Sequence, residues 1–305
     1  MTVTKNATHR ALLLMTAAAS LFGAMAFSAK VASARLSGPE VAMIRMAIGL
    51  LPVLLVPRYR KAALTYRRLD LLLYRGFFGG LAVMLYFLAI QHTNVGVATL
   101  LNYSAPIWSG TFSMLFIGER FSPRVLIPMP VALFGIVMVV QSHAGSGDIL
   151  GFGRWELVAA SSAVVSGVAL TAMRLARRSN ENSWSVYASF CFIGMLVNAP
   201  LGIGQWKTPQ GSEWGWVLAT ALFACGAQLL MTFSLRWVDA MTVGVISQLA
   251  VIVAMALGVL FLGDRITGPA ALGSLLTILG VAGVTYVTSM TSARPTAIEE
   301  IVPEA

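Results

Sequence analysis

Charge is scarce in this chain, and negative charge scarcer still. Lys, Arg, Asp and Glu make up only 11% of its 305 residues, with 12 acidic side chains against 21 basic ones. A soluble globular domain carries roughly 25% charged residues, so a water-facing surface of ordinary extent cannot be built from this sequence. Cysteine is limited to Cys191 and Cys225, both inside apolar runs. They read as small buried hydrophobes, which excludes a disulfide framework or a thiolate metal cluster. His9, His92 and His143 are the only histidines, each in a loop or tail with no second ligand at metal spacing. Neither a Gly-rich phosphate loop nor a serine with the flanking glycines of a nucleophile elbow occurs. No catalytic residue, metal or cofactor is therefore expected.

Apolar sequence fills the rest. Hydrophobic residues make up 57% and the mean hydropathy is +0.79, a composition that belongs in lipid. A helix needs about 20 apolar residues to cross the hydrocarbon core. On that measure the sequence divides into ten segments, at 11–29, 39–57, 71–90, 95–117, 124–141, 156–174, 184–203, 215–235, 241–262 and 268–289.

An internal repeat organises these segments. LFIGER at 115–120 returns as LFLGDR at 260–265, an offset of 145 residues, and Gly135 falls on Gly280. The register runs without a gap from about Leu71 to Val140. With the offset changed by one, Phe22-Gly23 and Lys30 fall on Ser166-Gly167 and Arg174. Two halves of one design follow, 11–145 and 150–290, flanked by tails at 1–10 and 291–305. Because five crossings per half is an odd number, the halves have opposite orientations and form an inverted repeat.

Basic residues set the side. Fourteen of the 21 Lys and Arg fall on one face, in the two tails, the run from Arg58 to Arg68, and around Arg120, Arg174 and Arg236. The opposite face holds Lys30, Arg35, Arg154, Lys207 and Arg265. Positive residues mark the cytoplasmic side, so both termini are expected in the cytoplasm. No aromatic-interleaved basic face appears, which argues against nucleic acid despite the net charge of +9. The polar start, the apolar run 11–29 and Ala32-Ser33-Ala34 imitate a cleaved signal. The repeat argues for its retention, since its counterpart helix in the second half would otherwise stand alone.

Polar groups inside apolar runs must pair or face a cavity. Arg45, in the second segment, either snorkels to the outer interface or contacts a substrate carboxylate. Arg75 lies one turn into the third segment and is expected to snorkel to the cytoplasmic face. Asn102, Tyr103, Gln228, Ser247 and Gln248 serve interhelical hydrogen bonding or substrate binding. Asn102-Tyr103 and Ser247-Gln248 occupy matching depths in equivalent segments, which would bring them to the repeat interface near the midplane. Tyr86 and Trp108 are packing residues or aromatic walls of that site. Glu119-Arg120 and Asp264-Arg265 read as tight turns, each followed by a helix start at Ser122-Pro123 and Thr267 with Pro269, or as gating residues on the two faces. Gly79-Gly80 and Gly226 offer close, sliding helix contacts. Every acidic residue falls in a loop or at a helix end, Glu156 coming nearest to the interior. No buried proton carrier or counter-charge for a cationic drug is therefore expected.

The first segment with Phe22-Gly23 and Lys30, the second opening GPEVAMIRMAIGLL, the stretch Ala98 to Pro106 and the paired LFIGER and LFLGDR corners resemble the EamA branch of the drug/metabolite transporter superfamily. The resemblance covers residues 10–290. It implies ten helices, cytoplasmic termini, a central cavity and export or uptake of small metabolites such as amino acids by alternating access. A permease of the bacterial inner membrane moving amino acids or organic acids is expected, and a ten-helix inverted repeat can enclose its own path as a monomer. A multidrug exporter and a lipid-directed membrane enzyme are the alternatives. Two departures stand out: Phe22 replaces the usual tryptophan, and Val251 stands where Pro106 does in the first half, so a proline break is expected in one half only.

Overall fold

The structure, a computed structural model, describes residues 5–117, 123–142, 153–234 and 246–292. It is all-helical, with no strand among the described residues. The helices are α1 (Lys5–Ala32), α2 (Gly38–Leu55), α3 (Pro57–Ala63), α4 (Leu69–His92), α5 (Val95–Asn102), α6 (Ala105–Ile117), α7 (Pro128–Gln141), α8 (Arg154–Arg178), α9 (Ser183–Gly204), α10 (Glu213–Ser234), α11 (Leu249–Leu257) and α12 (Gly268–Ser292). Six of them, α1, α2, α4, α8, α9 and α10, are long and apolar enough to cross a membrane. The fourth expected segment is broken into α5 and α6, and the fifth, ninth and tenth contain shorter apolar helices.

Local sequence explains several ends. Ser37 and Glu40 form a capping box in which the Ser37 hydroxyl accepts the Glu40 N–H and the Glu40 carboxylate accepts the Ser37 N–H. Pro39 fits the first turn, where its missing N–H leaves no bond unmade. After α11 a π-helical turn, Gly258–Leu262, ends at Gly263, whose φ of 68° is the left-handed cap that glycine supplies without strain.

Packing between helices follows the repeat. α1 packs on α10 and α8 on α4; α6 lies on α8 and α11 on α1; α2 meets α9, and α7 meets α12. Under the 145-residue offset α1 corresponds to α8, α2 to α9, α4 to α10, the α5–α6 pair to α11, and α7 to α12. Each pairing therefore maps onto another pairing of the same set or onto itself. The halves are interleaved, so most of the core is interface between them. Glycines permit the closest approaches: a Cβ on Gly80 would stand 2.5 Å from Gly194 Cα, and one on Gly280 2.5 Å from Ala132 N. Gly79 makes room for a different neighbour, the Arg75 guanidinium, and Gly226 meets nothing nearer than Leu21 Cδ1 at 3.4 Å. Gly226 is therefore not a close-contact residue.

The surface is apolar and the interior carries polar groups. Leu55, Phe116, Ile127, Phe134, Leu222, Leu260 and Leu275 are exposed, whereas Asn198, Thr99, Ser113 and Ser162 have no exposed area. A soluble monomer does not present an apolar surface on this scale.

Candidate functional site

The site grows from the break in the fourth segment. α5 stops at Asn102 and α6 starts at Ala105, with Tyr103 and Ser104 forming the turn between them. Pro106 cannot donate an N–H to the preceding turn, so a continuous helix here would lack a bond. The carbonyls released are satisfied locally and across the molecule: Ser104 Oγ donates to Leu101 O at 2.6 Å, and Gln248 Nε2 donates to Tyr103 O at 3.3 Å. Burying a broken helix is tolerated only with such partners. The ninth segment also turns, at Gln248, where α11 begins. Val251 in place of Pro106 therefore does not leave that segment continuous.

Arg45 is buried, at 8% exposure, with its guanidinium 5.5 Å from the centroid of the Phe87 ring. It makes no hydrogen bond or ion pair among the described residues. It lines a narrow cavity with Tyr187, Phe190, Cys191, Cys225 and Gln228. Arg45 comes from the first half, as do Met46 and Gly49 beside it, and the other five from the second. The Tyr187 hydroxyl donates to Gly49 O at 2.9 Å, which anchors this wall to α2, and lies 3.6 Å from Cys225 Sγ. Arg45 has Tyr86 and Tyr103 within electrostatic reach. Tyr86 is itself engaged: its hydroxyl lies 2.8 Å from Thr99 Oγ1, whose own proton goes to Val95 O at 2.6 Å, so Tyr86 is the donor of the pair.

The remaining sequence candidates are placed as follows. Asn102 Nδ2 donates to Ser162 Oγ on α8 at 2.8 Å, and Trp108 sits on α6 against Gly167 of α8, where a Cβ would meet Trp108 Cβ at 2.5 Å. Ser247 is partly buried beside Gln248. Thus Arg45 and Gln228 share the cavity, Tyr103 and Gln248 bond to each other, and Asn102 and Trp108 turn to α8. Asp264 and Arg265 form the corner after Gly263, where Asp264 N donates to Gly258 O and Arg265 O accepts from Asn94 Nδ2. Glu119 and Arg120 lie outside the described residues.

Three carboxylates are more buried than their positions suggested. Glu40, Glu156 and Glu181 are 0%, 6% and 3% exposed. Each remains at a helix end or in a link and is engaged there: Glu40 in its capping box, Glu156 by the Thr93 hydroxyl, Glu181 by the main-chain N–H groups of Arg67 and Arg68. Arg75 differs from expectation more sharply. Instead of snorkelling it is 8% exposed and lies 4.2 Å from the centroid of the Phe190 ring. Tyr187, Cys191 and Cys225 lacked a sequence signal because each is an ordinary apolar or amphipathic residue within a helix. Their meeting depends on α9 and α10 facing α2.

Interleaved repeats of membrane-length helices, apolar outside and polar around an internal cavity, define a polytopic membrane protein of the transporter class. The model of the EamA-like transporter family matches the chain twice, at residues 9–141 and 153–286. Over 251 residues, 82% of this chain and 86% of the relative, it is 30% identical to the pseudopaline exporter CntI of Pseudomonas aeruginosa. It is 24% identical to human solute carrier family 35 member G1 over 262 residues, 80% of this chain and 70% of that one. One solved crystal structure shares the fold at a TM-score of 0.59 and 22% identity, covering 96% of this chain and all of that one. The chain belongs to the EamA-like transporter family; it is a membrane-integral transporter of the drug/metabolite superfamily.

Proposed function

We propose that this chain is a ten-crossing permease of the bacterial inner membrane, made of two inverted five-helix repeats at 11–145 and 150–290, with cytoplasmic tails at 1–10 and 291–305. It exports small metabolites that carry an acid group, amino acids or organic acids, by alternating access, as a monomer and with no catalytic step. The asymmetry of basic residues supports the orientation, and the pairing of equivalent helices supports two rocking halves. The relative that is an exporter supports outward movement.

One observation carries the substrate class. Arg45 is a buried cation with no carboxylate partner, and it faces a cavity walled by its own helix, through Met46 and Gly49, and by the opposite half, through Tyr187, Phe190, Cys191, Cys225 and Gln228. Removing a charge from water costs several kcal/mol unless it is paired, and a substrate carboxylate supplies the missing partner. A cationic drug would need the reverse arrangement, and none of the residues lining this cavity is acidic. The test is efflux of labelled amino acids and organic acids from proteoliposomes, wild type beside Arg45→Ala. Loss of carboxylate transport in a folded variant supports the reading, whereas unchanged transport removes Arg45 from the site.

A further inference from the structure

A second buried arginine stands against Phe190, one of the residues that line the cavity holding Arg45. Arg75 projects from α4 with 8% exposure, and its Nε is fully buried without a hydrogen-bond partner. No described carboxylate pairs with it. Its place is built: the guanidinium lies on the Phe190 ring at 4.2 Å, and a Cβ on Gly79 would come within 2.3 Å of Arg75 Nη1, so a side chain there would displace the guanidinium from where it stands. Phe190 is also a wall of the cavity that Arg45 lines. Each arginine therefore stands against an aromatic ring, Arg45 on Phe87 and Arg75 on Phe190. A ring offers some cation–π attraction but neutralises no charge.

The two arginines enter from opposite ends. Arg45 is seven residues from the start of α2 and Arg75 six from the start of α4. At 1.5 Å per residue these are depths of about 10 and 9 Å. Within a hydrocarbon core of about 30 Å, the two positions are then separated along the membrane normal by roughly 10 Å. They are close enough to repel each other. Two uncompensated buried like charges are costly to hold, and a single anionic group at Arg45 would leave the second uncompensated.

The geometry points to Arg75 as a second anion contact, so that the preferred cargo carries two acidic groups, one toward Arg45 and one toward Arg75 across the Phe190 wall. This rests on the acid-group reading of the Arg45 cavity and narrows it. Arg75 would favour aspartate over alanine and succinate over propionate. Its lower position also gives the cargo a contact between the cytoplasmic end and the Arg45 cavity.

The experiment uses the full chain in proteoliposomes, with labelled aspartate, alanine, succinate and propionate, in wild type, Arg75→Gln, Arg75→Lys and Arg45→Gln. Arg75→Gln is expected to lower aspartate and succinate transport at least tenfold more than alanine and propionate, while Arg45→Gln lowers all four. Arg75→Lys keeps the charge and should recover part of the diacid preference. Succinate should raise the thermal midpoint of the detergent-solubilised wild type but not that of Arg75→Gln, a readout that a merely structural role would not move. Equal losses for mono- and diacids, or none, overturn the second contact while leaving the Arg45 reading in place. A wild type that neither carries nor is stabilised by any of the four overturns both. If Arg75→Gln fails to fold, Phe190→Leu, which removes the ring platform, is expected to weaken the diacid preference, and an unchanged preference overturns the proposal.

Discussion

Gln248 donates its side-chain amide to the main-chain carbonyl of Tyr103 at 3.3 Å, and the two residues stand 145 positions apart. That separation is the repeat offset, so each is the other's counterpart. Counterparts under a two-fold operation touch only where they lie on its axis. The pseudo-two-fold axis between the halves therefore passes through the break between α5 and α6 and the turn that opens α11. Packing of α7 against α12, equivalent helices that carry Gly135 and Gly280, places them on the same axis.

Removing this bond should cost stability and disturb the break. Gln248→Ala leaves the Tyr103 carbonyl without its partner inside the protein. Interhelical side-chain bonds in membranes contribute about 0.6 kcal/mol on average and at most about 1.7, and a loss in that range is expected in unfolding of the detergent-solubilised chain. Gln248→Glu, which keeps the shape but removes the donor when ionised, should be at least as costly. A variant as stable as wild type would mean that the carbonyl finds another donor.

The glycines divide into two groups with different expected costs. A methyl on Gly80 or Gly280 would be driven into backbone atoms, Gly194 Cα and Ala132 N, each at 2.5 Å. Backbone cannot rotate aside, so helix separation must follow, at about 1–3 kcal/mol. Gly226→Ala meets only a flexible leucine terminus at 3.4 Å and should be near neutral. Comparing thermal midpoints of the three alanine variants checks the division. A costly Gly226→Ala beside a harmless Gly80→Ala would reverse it.

Much of this arrangement was legible in the sequence, for identifiable reasons. The repeated LFxG[ED]R corner and the offset of 145, shifted by one in the first segment, predicted equivalent helices, and the helix pairs map onto one another under it. Polar knots in apolar runs pointed to Asn102-Tyr103 and Ser247-Gln248, and the Tyr103 and Gln248 pair bonds across the halves. Arg75 is buried where its sequence position predicts snorkelling, because depth along a helix does not decide between the two. The deciding factor is lateral: whether Phe190 on the facing helix α9, and Gly79 one turn along α4 itself, leave a slot for the guanidinium. The meeting of the cavity's two thiols was out of reach for the same reason, since the approach of Cys225 to Tyr187 is a property of how α9 and α10 pack. Burial of Glu40 and Glu181 likewise depends on links from the opposite half folding over them.

At the corner after α11, Gly263 separates turn from gate. Its φ of 68° is strained for any residue with a Cβ, and Gly263→Ala should cost about 1–2 kcal/mol in stability. Asp264→Asn keeps the main-chain bond from its N–H to Gly258 O but removes the attraction to Lys30, the side chain that donates to Gln91 O and Thr93 O at the end of α4. A corner that is only a turn predicts Gly263→Ala to be the costlier change and Asp264→Asn to leave transport unaltered. Slower efflux by a fully stable Asp264→Asn would assign the corner to gating.

Glu40 and Glu181 perform one task at opposite ends of the molecule. Glu40, at the start of α2, accepts the N–H of Lys207 in the link between α9 and α10, at 3.3 Å. Glu181, in the link between α8 and α9, accepts the N–H of Arg67 at 2.6 Å and that of Arg68, in the link before α4. Under the repeat these are equivalent links with the halves exchanged, so each carboxylate ties one half to the other at its own membrane face. Charge-assisted bonds to main-chain N–H groups are stronger than neutral ones, and their loss should loosen that face selectively. Cys225, partly exposed on the cavity wall, reports the opening. In a Cys191→Ser background, Glu40→Ala is expected to speed modification of Cys225 by a membrane-impermeant thiol reagent added outside. Glu181→Ala should speed it when the reagent is added inside, each by several-fold. Acceleration from both sides in both variants would mean that the carboxylates hold the fold together without distinguishing its two ends.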